Sequence, residues 1–205
     1  MNPKTRGFSL IELSIALLII TLLLGSGTMA LSGQMSVRQH RQMQKDFENI
    51  KEALYGYALV NGKLPCVLDS NGHENCAVQY GYLPFATLGV AQKDVYGNAI
   101  RYFVHSAFSK EFTLTTGSKN DDAVRKTLPD IWDSANGNKI AVGVVAVFWT
   151  EGQSGKVYRS TDEQTNNENN LKFIYRAPSN DFDDEIQWLS PFVLKAKMLA
   201  AQKLP

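Results

Sequence analysis

Glu12 is the residue whose placement asks for a chemical explanation. It lies in Phe8-Ser9-Leu10-Ile11-Glu12-Leu13, at the start of a run that stays almost wholly apolar to about Leu31. A run of that length reads as membrane-spanning, and a bare charge inside it costs roughly 2.5–3.5 kcal/mol on insertion scales. A charge kept at that cost calls for a partner, and one can be made here. Breaking the chain after Gly7 turns Phe8 into a free ammonium one helical turn before Glu12.

Two other places could hold chemistry. Cys66 and Cys76 flank a stretch of turn formers, so the chain can double back and close a disulfide. The competing arrangement is zinc on Cys66, His73 and Cys76, which lacks a fourth ligand. Near the end of the chain, Asp181, Asp183, Asp184 and Glu185 crowd together. Calcium takes roughly six to eight oxygens on a flexible loop. EF-hand spacing is absent here, so a solvated acidic turn, or acids placed before a helix, is the competing reading. Catalysis finds no support: His40, His73 and His105 stand in unrelated contexts, and no nucleophile elbow, zinc-protease helix or phosphate loop is present. Glu151-Gly152-Gln153-Ser154-Gly155 lacks the lysine and spacing of a nucleotide loop and reads as a turn. The chain is therefore expected not to be an enzyme and to require no cofactor. With a net charge of +1 and no basic and aromatic stripe, no nucleic-acid partner is expected.

Gly7-Phe8-Ser9-Leu10-Ile11-Glu12-Leu13 resembles the class III signal of type IV pilins and type II secretion pseudopilins. The resemblance implies cleavage between Gly7 and Phe8 by prepilin peptidase on the cytoplasmic side. It implies N-methylation of Phe8, and a filament-assembly role for Glu12 as the fifth residue of the mature chain. It further implies other pilin or pseudopilin subunits, an inner-membrane assembly platform and, before assembly, membrane lipid as partners. A second passage, Asp94-Val95-Tyr96-Gly97-Asn98 with Tyr102, resembles a structural turn of pseudopilins. Because major pseudopilins bind calcium near their C-terminus, the resemblance also makes Asp181, Asp183 and Asp184 calcium candidates. The expected function is a minor pilin or pseudopilin of a pilus or secretion pseudopilus. The alternative is a membrane-tethered periplasmic binding or adhesion module outside any filament.

The elements that must position these residues follow from the pattern. Residues 1–7 form the leader, whose Lys4 and Arg6 put that end in the cytoplasm and the rest of the chain, after about Leu31, in the periplasm. Residues 8–31 span about 36 Å as a helix, enough to cross a membrane. Gly25, Ser26 and Gly27 interrupt that half, either as tolerated small residues or as a place where helices loosen or approach. Residues 32–60 continue the helix as an amphipathic half. Met43, Phe47, Ile50, Leu54 and Tyr57, spaced four, three, four and three, make one apolar stripe. That stripe packs on the chain's own head or, less in keeping with its length, seams a coiled coil. Gly62 ends the helix.

Residues 61–205 form the head. Strands are expected at 99–108, 111–116, 140–149 and 171–175, with 140–149 central and covered on one side by the long helix. Residues 117–138 read as a surface excursion, and 161–170 as the most mobile loop. Ser190 and Pro191 predict a closing helix from Pro191 to about Lys203, with Val193, Leu194 and Met198 facing inward. The fold class is α+β: a pilin-like lollipop, its long helix packed on an antiparallel sheet, with a C-terminal helix.

Overall fold

The computed structural model describes residues 9–204, apart from the side chains of residues 22–36. The leader, the Gly7–Phe8 bond and the side chains of Ser26 and its neighbours lie outside the described residues. Of the expected membrane span, 8–31, residue 8 and the side chains of 22–31 lie there too; among the described residues no helix is long and apolar enough to cross a membrane.

The first helix, α1, runs Leu10–Asn61. Gly62 stops it in the left-handed conformation, φ 72°, donating its N–H to the Ala58 carbonyl at 2.9 Å. The chain divides into two compact units, Met1–Gln42 and Met43–Pro205. The divide falls inside α1. Its physical reason is Met43, the first residue of the apolar stripe. From there α1 buries Met43, Phe47, Ile50, Leu54, Tyr55 and Ala58 in the core of the second unit. Tyr57, expected in the stripe, is only half-buried, and Tyr55 and Ala58 take its place.

The second unit is α+β. In chain order after α1 come β1 (Val67–Leu68), β2 (Glu74–Asn75), β3 (Tyr80–Tyr82), α2 (Phe85–Leu88), β4 (Arg101–Val104), α3 (Asp122–Arg125) and β5 (Asp130–Trp132). They are followed by β6 (Lys139–Ala141), β7 (Ala146–Thr150), α4 (Thr161–Asn167), β8 (Lys172–Ile174), β9 (Glu185–Leu189) and α5 (Pro191–Ala200). Six strands form one antiparallel sheet in the order β2-β1-β3-β4-β7-β9. A smaller sheet, β6-β5-β8, pairs β5 antiparallel with β6 and parallel with β8.

The period-two alternation of the central strands builds a core on each face of the large sheet. Tyr102, Val104, Ala146 and Phe148 enter the cluster shared with α1 and α5, where the rings of Phe47 and Phe148 lie 5.2 Å apart. Phe103, Val147 and Trp149 point the other way and pack on Ile131 and Phe173 of the small sheet. All five residues of β7 are buried, as a strand covered on both faces requires.

Several expectations change. Residues 140–149 are not one strand: Gly143 takes φ 66° and donates to Asp130 Oδ1 at 2.9 Å, turning the chain from β6 in one sheet to β7 in the other. Residues 111–116 form no strand; hydroxyls of Thr113, Thr115 and Thr116 bond one another across a turn. The excursion 117–138 carries α3 and β5, whose Ile131 is buried. Residues 161–167 of the expected loop form α4. In the large sheet, β1, β2, β3 and β9 lie where the sequence pattern gives no strand. In α5, Leu194 and Met198 are buried as expected, but Val193 is 44% exposed.

Candidate functional site

The helix carrying Glu12 starts cleanly. The Ser9 carbonyl accepts from Leu13 N at 3.1 Å, so Ser9 is the N-cap position and Glu12 lies in the first turn, where a carboxylate is favoured by the unpaired N–H groups. The hydroxyls of Ser14 and Thr21 are satisfied by the helix itself. Ser14 bonds the Ile11 carbonyl at 2.8 Å, and Thr21 bonds the carbonyls of Leu17 and Leu18 at 3.0 and 2.9 Å. The apolar side chains are exposed: Leu10, Ile11, Leu13, Ile15, Leu17, Leu18, Ile19 and Ile20 bury little against the rest of the chain. Glu12 is exposed as well. Within the described chain these apolar side chains stay uncovered.

Cys66 and Cys76 form the disulfide, with Cα atoms 4.9 Å apart. It closes the hairpin of β1 and β2, whose turn is organised by Asp69: Oδ1 accepts from Asn71 N at 2.8 Å and His73 N at 3.0 Å. These backbone donors, that of His73 first, hold the Asp69 carboxyl below its usual range. His73 is exposed.

Asp94 organises the Gly97-Asn98 turn in the same manner. Its Oδ1 accepts from Tyr96 N at 2.9 Å and Asn98 N at 2.8 Å. Its Oδ2 accepts from the Thr150 hydroxyl, and Asn98 Nδ2 donates to the Gly152 carbonyl. The turn is thus tied to the end of β7. Gly152, at φ 57°, sits so close that a Cβ there would collide with the Asp183 carbonyl oxygen. His105 is buried at the end of β4. Its Nδ1 accepts from Ala107 N at 3.2 Å, so a proton on Nε2 would be donated to Thr127 Oγ1 at 3.0 Å. Burial lowers its pKa, with Asp121 opposing.

The acids near the C-terminus separate. Asp181 turns to Arg176, 3.0 Å from its Nη2, and accepts from Ser179 Oγ at 2.6 Å. Asp183 and Asp184 instead meet Glu163 of α4, with ligand atoms of the three within 4.8 Å of one another. Glu163 is completely buried. Its two oxygens accept from Arg159 N at 2.5 Å and Asp183 N at 3.0 Å. Asp183 accepts from Ser154 N at 2.8 Å and Ser154 Oγ at 2.7 Å, with Arg159 Nη1 at 3.3 Å. Asn166 holds the backbone of Ile174 from both sides, at 2.6 and 3.2 Å, and donates to Asp184 Oδ2 at 2.8 Å. Asp184 Oδ1 is buried and has no hydrogen-bond partner. Burial first, then Glu163, Asp183 and Glu151, push the Asp184 carboxyl up to about 8 against the Asn166 hydrogen bond.

Glu163 and Asn166 are the members of this group that composition hides, because 161–170 is almost wholly polar. One signal does point to them. Ser160 stands three residues before Glu163, the spacing of a capped helix start, and Ser160 Oγ accepts from Glu163 N at 3.3 Å. The carboxylate then reaches back to Arg159 N, fastening the helix to the chain before it.

No curated protein and no solved structure matches this chain significantly. A family model, the prokaryotic N-terminal methylation motif, matches residues 2–28. That interval holds the clean helix start, the first-turn carboxylate and the exposed apolar side chains. The chain accordingly carries, over residues 2–28, the prokaryotic N-terminal methylation motif that is the signature of type IV pilins and pseudopilins.

Proposed function

We propose that this protein is a structural subunit, a minor pilin or pseudopilin, of a type IV pilus or type II secretion pseudopilus. The observation that carries the reading is the methylation motif at residues 2–28. Prepilin peptidase cuts after Gly7, and Phe8 becomes an N-methylated terminus. Before assembly, the first half of α1 is held in the inner membrane and the second unit is in the periplasm. In the filament, the apolar side chains from Leu10 to Ile20 are covered by the same helix of neighbouring copies. The assembly platform feeds copies into that bundle. Glu12 of one copy neutralises the Phe8 ammonium of the next and sets the stagger between them, as buried polar pairs set register in coiled coils. Its length, greater than is usual for major pilins, favours a minor role.

The role is structural, not catalytic. The tethered binding or adhesion module would keep residues 1–7 or be cut elsewhere. The staggering role is tested by Glu12→Leu. The variant should insert and be processed like wild type but be lost from the sheared-filament fraction. Wild-type incorporation would remove that role.

A second reading concerns calcium. Its support is the orphaned Asp184 Oδ1 beside Asp183 and Glu163. A hard cation would give that oxygen a partner and offset the three-carboxylate repulsion. The fit is partial, since Glu163 and Asp183 already accept hydrogen bonds at every oxygen and Asp181 is engaged with Arg176. Melting with calcium and with chelator tests it. Asp183→Asn/Asp184→Asn should abolish a calcium-dependent rise in Tm; equal melting of wild type in both conditions would discard the cation.

A further inference from the structure

Strand β9 ends the six-stranded sheet. It pairs with β7 along residues 185–189, and among the described residues no strand pairs with its other side. An unpaired edge presents a row of backbone N–H and C=O groups that an extended chain can satisfy, so stable proteins usually blunt such edges with short strands, lysine, proline or bulges. The other edges of this protein follow that practice. Strand β2 has two residues, and β6 and β8 have three each, with Lys139 in one and Lys172 in the other. Strand β9 has five residues, Glu185-Ile186-Gln187-Trp188-Leu189, with no lysine or proline, and its register with β7 runs without a bulge.

A cleft of about 380 Å³ lies beside this edge, lined by Glu52 and Tyr55 of α1, Gln187 and Trp188 of β9, and Val193 and Lys197 of α5. Gln187 and Trp188, and Ser190 just after the strand, all line the cleft, so it lies against β9 over the second half of the strand. The charges on its walls are already paired: Lys197 with Glu52 at 3.3 Å and Lys51 with Glu48 at 3.6 Å. A charged ligand gains little from paired charges. What remains on offer is unpaired strand backbone with half-buried Trp188 and half-exposed Val193 beside it.

We propose that the outer edge of β9 is a docking site for an extended, uncharged, β-prone segment of another polypeptide, which joins the sheet as a further strand. Backbone hydrogen bonds supply the affinity and alternate side chains seated on Trp188 and Val193 supply selectivity, the physics of strand addition.

The test uses the full chain in detergent micelles and a fluorescent acetylated peptide of alternating threonine and valine, with a control carrying a central proline. The alternating peptide should raise anisotropy on titration and slow hydrogen exchange at the β9 amides that do not face β7, while the proline peptide does neither. Val193→Asp, an exposed change that leaves the core untouched, should weaken binding roughly tenfold, as expected for a residue central to an interface. Three results would overturn the proposal. The first is that neither peptide binds. The second is slow exchange of the outer β9 amides in dilute, peptide-free protein, which would show the edge to be covered. The third is protection that rises with protein concentration alone, which would make the occupant a second copy of this chain.

Discussion

Glu12 and Glu163 are the same side chain in opposite surroundings. Glu163 is fully buried, and each of its oxygens meets a backbone donor of its own chain. Glu12 is exposed, in the first turn of a helix whose leucines and isoleucines are also exposed. The first has found its partners by folding. The second stands on a surface that folding leaves bare, so what satisfies it must come from outside the described chain. The contrast separates a unit that buries its own apolar side chains from a helix that leaves its apolar side chains exposed.

The largest test of that contrast compares two apolar residues of one helix. Phe47→Ala empties a site against Phe148 and should destabilise the second unit by about 3–5 kcal/mol. Leu17→Ala, on the exposed stretch, should leave the denaturant midpoint of that unit unchanged while impairing filament incorporation. An equal loss of stability from both would merge the two regions.

Next comes the polar frame around α4. Glu163→Ala leaves Arg159 N and Asp183 N without acceptors and should cost about 2–4 kcal/mol, read by chemical denaturation. Loss of the disulfide through Cys66→Ser should cost a little under about 3 kcal/mol, since the loop it closes is short.

Asp184 gives a pH signature with a definite sign. Its folded pKa is raised to about 8, above the ordinary unfolded value near about 4, so the folded state binds the extra proton between those limits. Stability should therefore fall as pH rises from about 4 to about 8 and level off beyond. Asp184→Asn should match wild type near the acidic end and exceed it in Tm at alkaline pH. A wild-type slope retained in the variant would place the titration elsewhere. His105 gives a smaller effect on the acid side. Its folded pKa is lowered by burial, so its contribution is complete above the unfolded value near about 6.5 and is lost as pH falls through the folded one. His105→Gln should flatten that limb of the stability curve.

How much of this was written in the sequence depended on the kind of signal. Long periodic signals were legible: the stripe beginning at Met43, Gly62 as terminator, and Ser190-Pro191 opening α5. The Cys66–Cys76 bond was legible as well, because turn formers between two cysteines leave few alternatives. What escaped was decided by distant partners. The apolar run 140–149 looked like one strand because hydrophobicity alone cannot show that Gly143 hands the chain from one sheet to another. Residues 161–170 looked mobile because they are polar. Yet α4 is held by Glu163, Asn166 and Asn167 bonding Asp183 N, the Ile174 backbone and Trp149 Nε1, which lie 20, 8 and 18 positions away. Asp183 and Asp184 were visible as acids, but their meeting with Glu163 across 20 and 21 positions was not.

The account rests on a new amino terminus beside Glu12. Mass spectrometry of the terminal peptide, from protein isolated from the membranes of its own cells, tests this most directly. The account predicts a peptide beginning at Phe8 and carrying one methyl group on its α-nitrogen. A peptide beginning at Met1, in protein that never co-sediments with a fibre or secretion complex, would contradict it.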